Sequence, residues 1–489
     1  MTTSRALGLA ISCTLLAAVA RAGDPPSFTG VGDLSGGSVL SAAQGVSGDG
    51  SVVCGYSNSA GGDRAFRWTA AGGIESLGEL TGGGAYSQAH AVSADGTTIV
   101  GDSQSAGGNE AFRWTAAGMV GLGDLPGNGF FSIANGVNAD GSVVVGHSES
   151  ALSGTLSAEG FRWTAATGIQ PLGDLPGSNF FSVATAVSAD GMRIAGYGVS
   201  TPAGPSSSEA TRWSWPSPPT GLGDLPGGGF GGNAFGISAD GNVIVGLSAA
   251  TGGVFAFRWS DPAAGGSGMQ SIGDIPGGSA FSRANGISAD GNVIVGQSIG
   301  SSGMEAFVWT AATGCVSLKD LLTSLGLDLT GWTLEVAQAI SADGRTIVGY
   351  GPNPSGNYEG WVAHLGDAWT DLGQGLAGVA GVPVLATHGA LIEGHPLTVA
   401  LSSAKPSGVA TLVVGLSALN APFKGGTMVP NPDALVAGLG LDGVGGIELT
   451  SPWPAGVPSG LSLWLQAWIA DGAAVKGFAA SNAEVGVVP

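Results

Sequence analysis

Carboxylates dominate the reactive groups of this 489-residue chain: 35 Asp and Glu stand against 15 Lys and Arg and only 5 His. Nineteen of the 35 recur at fixed places. Seven belong to Asp-Gly pairs (Asp49, Asp95, Asp140, Asp190, Asp240, Asp290, Asp343). Seven more lie in Leu-Gly-Asp-Leu-like segments (Asp33, Glu79, Asp124, Asp174, Asp224, Asp274, Asp320). Five precede a Phe/Trp strand (Glu110, Glu159, Glu209, Glu305, Glu359). Two carboxylates at hydrolase separation do acid and base chemistry, but one repeated in register reads as a turn or pairing residue. Arg67, Arg113, Arg162, Arg212 and Arg258 repeat in step with them and are expected to pair with them. Calcium at the Asp-Gly turns would need a run of alternating oxygen ligands that these turns lack. No two of His90, His147, His364, His388 and His395 share a metal-ligand spacing. No Gly-x-Ser-x-Gly elbow is present. No metal, cofactor or catalytic residue is therefore assigned, although a scaffold that gathers distant segments at one mouth leaves a carboxylate pair open.

Two sets vary from copy to copy. One is the position before the small-apolar pair of the first strand: Gln44, His90, Asn135, Thr185, Phe235, Asn285 and Gln338. If that strand lines a channel, Gln44, His90, Asn135, Asn285 and Gln338 are candidate ligand contacts, or else a watered wall. The other is an aromatic in the preceding loop: Tyr86, Phe131, Phe181, Phe230 and Phe281. These form a rim for sugar or peptide, or pack between neighbouring copies.

The element that positions both sets is a repeat. The Asp-Gly pairs are spaced by 45 to 53 residues, and a Trp follows each Asp by 18 to 23 residues. Asp-Gly suits a tight hairpin turn. The run Val293-Ile294-Val295 after it is apolar at consecutive positions, as in a strand covered on both faces. A strand with Phe-Arg-Trp and one with Leu-Gly-Asp-Leu complete four strands per copy, the number in a propeller blade. The first fourth-strand motif, Val31–Leu34, precedes the first hairpin, while the seventh copy ends on the weak Trp369–Leu372. A ring closed by the segment near Val31–Leu34 removes the open edge. The fold class expected is all-β: a seven-bladed β-propeller over 28–366, its N-terminal strand completing the last blade, followed by a β-sandwich over 374–489. Leu318, Leu321, Leu322 and Leu325 predict a short helix inserted before the seventh hairpin.

These motifs resemble the extracellular HAF repeat family of secreted bacterial proteins. The likeness rests on Ile287-Ser288-Ala289-Asp290-Gly291, Val293-Ile294-Val295-Gly296, Ala111-Phe112-Arg113-Trp114-Thr115 and Leu172-Gly173-Asp174-Leu175, and covers about 28–366. The family's histidine is absent; Arg64, Glu110 and Glu305 stand in its place. The resemblance implies a repeat scaffold and no particular reaction. The Ser-x-Asp-Gly turn also looks like that of TolB-type propellers and of sialidase Asp boxes, though no aromatic follows at the Asp-box spacing. In the tail, Val414–Ser417, Pro422–Gly426 and Gly477–Asn482 resemble a C-terminal module of planctomycete secreted proteins, which implies sorting or surface attachment.

Residues 1–22 read as a secretory signal, with Arg5, the apolar run Ala6–Ala20 and Ala20-Arg21-Ala22 as a cleavage site. Its removal leaves 13 basic residues against 35 acidic ones, a charge that repels phosphate backbones and makes nucleic acid an unsuitable partner. No later apolar run is long enough for a membrane helix, so no transmembrane anchor is expected. Cys54 and Cys315 lie in different copies and read as single buried thiols rather than a disulfide. The expected function is a secreted, non-catalytic binding or cell-surface interaction protein that contacts a glycan or protein through a propeller face. The alternatives are an extracellular polysaccharide-processing propeller enzyme and a structural envelope component. A His with a carboxylate, or two non-repeated carboxylates, at one channel mouth would favour the enzyme.

Overall fold

The computed structural model describes residues 26–487 apart from 128, 154–157, 178–179, 205–206, 367–368, 389–390, 392–395, 455–456 and 459–460. The expected leader at 1–22 and His395 lie outside the described residues. Residues 25–366 form one compact unit, and those from 367 onward belong to a second.

In the first unit each repeat is one four-stranded antiparallel sheet whose strands follow chain order. In the sixth repeat these are Ser282–Ile287, Ile294–Gly300, Gly303–Thr310 and Gly314–Ser317. The seventh sheet draws its outermost strand from the other end of the chain. Ser27–Gly30 pairs antiparallel with Trp361–His364, beside Thr346–Pro352 and Val336–Ile340. The completing strand thus lies just before Val31–Leu34, not on it. Trp369–Gly373, the weak fourth-strand motif, pairs instead inside the second unit.

The Asp-Gly turns need their glycines: Gly50, Gly96, Gly141, Gly191, Gly241, Gly291 and Gly344 all have φ between 70° and 76°. The aspartates work within the same turns. Asp49 accepts from the Ser47 hydroxyl at 2.7 Å and from the Ser51 N–H at 3.0 Å, and the other copies follow the pattern. Hydrogen bonds from Ser142 and Ser188 hold the Asp140 and Asp190 carboxyls below the usual range. Glu110, Glu209 and Glu359 each accept from a glycine N–H just past the fourth strand, namely Gly123, Gly223 and Gly32. The repeated arginines mostly choose backbone over carboxylate, contrary to expectation. Arg113, Arg162 and Arg258 donate to the carbonyls of Gly141, Gly191 and Gly291 in the next repeat's turn. Among the described residues Arg212 alone of the five meets a carboxylate, and that one, Asp261, is not a repeated residue.

Neighbouring sheets are joined by a serine at the start of the first strand. Ser282 accepts the Ala256 N–H at 2.9 Å and donates to the Gly273 carbonyl at 2.6 Å. Ser41 makes the same pair of bonds to Gly360 and Gly32, residues of the seventh sheet. Apolar clusters fill the same seams: Val31, Val348 and Val362 are buried together with Ala43, Val53 and Phe66. The third-strand tryptophans are not uniformly buried. Trp213 is fully buried where Thr211 replaces the repeat's Phe, and Trp361 is fully buried because it takes that Phe position itself, opposite Gly349, whereas Trp114, Trp163 and Trp309 are half-buried beside Phe112, Phe161 and Phe307. The insertion forms a helix at Leu318–Ser324, which buries Leu318 and Leu322.

In the second unit Trp369–Gly373, Phe478–Val487, Ser462–Ala470, Val409–Gly415 and Ala434–Gly440 form one antiparallel sheet in that spatial order. A second sheet holds Val384–His388, Pro396–Ser402 and Ile447–Pro452. Leu385, Val399 and Leu401 of the smaller sheet share one core with Leu412, Leu465 and Ile469 of the larger.

Candidate functional site

The site begins with a glycine. At the middle of every second strand a Cβ on Gly55, Gly101, Gly146, Gly196, Gly246, Gly296 or Gly349 would stand 1.9–2.0 Å from a first-strand carbonyl oxygen. That close approach accompanies a bulge. Ala43 faces Gly55 and Gly45 faces Cys54, so Gln44 has no cross-strand partner. The same skip leaves out His90, Asn135, Thr185, Phe235, Asn285 and Gln338. A bulge bends its strand and re-aims the extra side chain. All seven bulged residues line one cavity of about 370 Å³. The predicted contacts Gln44, His90, Asn135, Asn285 and Gln338 are thereby brought together, with Thr185 and Phe235 completing the set.

The turns beyond the cavity are linked in a circuit. Gly48 N–H donates to Ala94 O, Asp95 to Ala139, Ala139 to Ala189, Ala189 to Ala239, Ala239 to Ala289, Ala289 to Ala342, and Ala342 back to Gly48, all within 2.9–3.4 Å.

Two further positions reach the cavity that the repeat pattern did not single out. His147 and Tyr197 directly follow the second-strand glycine, and Arg283 lies two residues before the bulge. Their signal was present as the variable residue in otherwise constant strands. In the second and third repeats the chemistry is acid–base. His90 Nε2 lies 2.7 Å from Oδ1 of Asp102, which is 3 % exposed. Burial raises the Tyr86 phenol, and the neighbouring Asp102 carboxylate pushes it the same way. Burial, reinforced by His90, holds His147 down at about 4, and its Nδ1 lies 3.1 Å from Asn135 Nδ2.

The fifth and sixth repeats differ. The Arg283 guanidinium stacks 3.9 Å from the centre of the Phe235 ring, and its buried Nε has no partner. Burial lowers Arg283 from its ordinary value. Tyr197 stands edge-on to Phe235 with centroids 6.5 Å apart. Asn285 donates to the Ala337 carbonyl at 2.9 Å while its buried Oδ1 is left without a partner.

None of the loop aromatics lines the cavity. Tyr86 lies beside Asp102, Phe131 packs on His147 at 6.0 Å and Phe181 on Tyr197 at 6.1 Å, so these three back the lining side chains. Phe230 lines a separate groove with Ser207 and Asn233, and Phe281 is held by its backbone against Val254 and Ile299. Cys54 and Cys315 are free thiols, the second pushed up to about 12 by burial. His364 bonds Thr346 away from the cavity. Among the described residues no three His, Cys, Asp or Glu side chains gather as a metal site, and no helix is long and apolar enough to cross a membrane.

No family model matches the chain, and no curated protein does. Among solved structures it is similar to a putative TolB from Agrobacterium tumefaciens (16 % identity over 66 % of this chain and 90 % of that one, TM-score 0.32). It is also similar to TolB from Acinetobacter baumannii, of which it spans half the length (15 % identity, 44 % of this chain, TM-score 0.33). A gluconolactonase from Xanthomonas campestris matches at 12 % identity over 71 % of this chain and 92 % of that one, with a TM-score of 0.36.

Proposed function

We propose that residues 26–366 are a closed seven-bladed β-propeller whose axial channel binds a small hydroxyl-rich ligand, and that a β-sandwich follows it. In this reading the protein is a secreted or surface-exposed binding protein of HAF-repeat type. The circuit of hydrogen bonds through Gly48 and Ala342, and the Ser41 link to Gly360, support the closed ring. The observation that carries the binding reading is the convergence of seven bulged side chains on one cavity. Four are amides (Gln44, Asn135, Asn285, Gln338), with a hydroxyl, an imidazole and an aromatic face beside them. Such a wall offers donors and acceptors in alternation with a stacking surface, which suits a sugar.

His90 with Asp102 supports a second reading, a propeller enzyme acting on an extracellular saccharide, since an imidazole oriented by a buried carboxylate is a general-base arrangement. The two readings separate on a glycan array followed by a product assay with the full chain. Under the binding reading, arrayed sugars are retained, Gln44→Ala weakens retention, and no product accumulates. Product formation abolished by His90→Gln establishes the enzyme instead, and retention of no sugar rejects both.

A further inference from the structure

We propose that the channel contains an anion subsite at Arg283 and that its ligand is an acidic sugar, with the anionic group on that guanidinium and hydroxyls on Asn285. The inference rests on the channel being the ligand site.

Arg283 differs from most of the repeat-unit arginines: it shares with Arg67 the lack of an ion pair or hydrogen bond among the described residues, but it alone of the two lines the cavity and buries its Nε. Arg64 meets Glu79, Arg212 meets Asp261, and Arg113, Arg162 and Arg258 donate to carbonyls. Arg283 makes no ion pair or hydrogen bond among the described residues, although the chain carries 35 carboxylates and a net charge of −20. Leaving a desolvated cation unpaired is costly. The Phe235 face offsets part of that cost through cation–π attraction, and it occupies one flat face of the guanidinium. The N–H edge, which takes carboxylate or sulfate in two parallel hydrogen bonds, stays uncommitted at the cavity wall. An acid on that edge supplies the missing counter-charge.

The second half of the ligand follows from Asn285. The residue is 7 % exposed, its amide is fixed on Ala337, and its Oδ1 is a buried acceptor with nothing to accept. A ligand hydroxyl satisfies it. Phe235 and Tyr197 add an aromatic corner for a sugar ring. A cavity of about 370 Å³ holds one or two sugar units. The net charge of −20 repels a long polyanion, so the fit is to a free acidic sugar or a short chain end.

The test is isothermal titration of the full chain with galactose, galacturonate and galactose 6-sulfate. Galacturonate or the sulfate is expected to bind at least about tenfold tighter than galactose, as one charge-assisted contact provides. The tighter of the two acids identifies the anion as carboxylate or sulfate. Arg283→Gln is expected to erase the preference, bringing both acids to the affinity that the same variant shows for galactose. Arg283→Lys, which keeps the charge and loses the flat fork, should retain part of it at an unchanged melting temperature. Equal binding of acid and neutral sugar, or a preference that survives Arg283→Gln, overturns the anion subsite. If Asn285→Ala still weakens all three sugars in that case, the channel remains a binding site. If none of the three binds, the subsite and the sugar-binding channel fall together.

Discussion

Two walls of one cavity, built from equivalent strands with the same bulge, carry opposite chemistry. The second and third repeats present His90, backed by Asp102, and His147, an acid–base wall in which every member has a partner. The fifth and sixth present Phe235, Arg283 and Asn285, where a cation and an amide oxygen go unanswered. The scaffold beneath is the same in both: a Cβ on Gly101, Gly146, Gly246 or Gly296 would stand 1.9–2.0 Å from the equivalent first-strand carbonyl oxygen. Sevenfold repetition therefore fixes where side chains enter the cavity, and the variable positions set its chemistry. Under the proposed binding role, a ligand in it has two distinct ends to satisfy.

The largest effect tests the shared scaffold. Gly146→Ala on one wall and Gly296→Ala on the other each force a Cβ onto backbone that no rotamer change relieves. Each is expected to cost about 3 kcal/mol in denaturant unfolding. A large loss on one wall only would break the equivalence on which the comparison rests.

A loss of similar size, confined to the acid–base wall, comes from pH. Burial holds His147 at about 4 in the folded chain against an ordinary value of 6.5. Between these the unfolded chain binds a proton that the folded chain refuses, so stability is complete above pH 6.5 and falls as pH drops toward 4. The shift corresponds to about 3 kcal/mol. Asp174, raised to about 6 by burial, acts with the opposite sign over pH 3.8 to 6. The measurement is thus the difference between wild type and His147→Asn. The variant should lose less stability on acidification, and parallel pH profiles would refute this assignment.

Closure is tested next. Ser41→Ala removes the link between first and seventh sheets, and Ser282→Ala an internal one, each leaving a buried N–H and carbonyl unanswered. Both should cost about 2 kcal/mol. A silent Ser41→Ala beside a costly Ser282→Ala would mean that the end seam bears no load. The smallest effect belongs to the varied positions: Gln44→Ala should change stability by no more than about 0.5 kcal/mol while weakening ligand retention.

Much of this was legible in the chain. The Asp-Gly pairs, the offset first motif and the varied residue before the small-apolar pair gave the repeat, the borrowed strand and the channel set, because each depends on local turn and strand chemistry. The bulge was not legible: it reveals itself only in the pairing of Ala43 and Gly45 with Gly55 and Cys54. Asp102, His147 and Arg283 were harder to single out because their positions hold a different residue in most copies (Tyr56, Asp102, His147, Tyr197, Leu247, Gln297 and Tyr350 after the second-strand glycine), and strand alternation alone does not say which of them face the cavity. The loop aromatics marked packing behind the wall for Tyr86, Phe131 and Phe181, since residues adjoining a channel and residues backing it share the same composition. In the tail, strands such as Val384–His388, Ala418–Phe423 and Ala434–Gly440 are poorly legible because Pro, Gly and small residues blur strand periodicity there.

The most direct test of the channel as the recognition site is a crystal structure of the full chain grown with galacturonate or galactose 6-sulfate. The sugar should lie among Gln44, Asn135, Asn285 and Gln338 with its acid against Arg283 and its far side toward His90. Sugar density on the outer loops, with the channel holding none, would contradict the account.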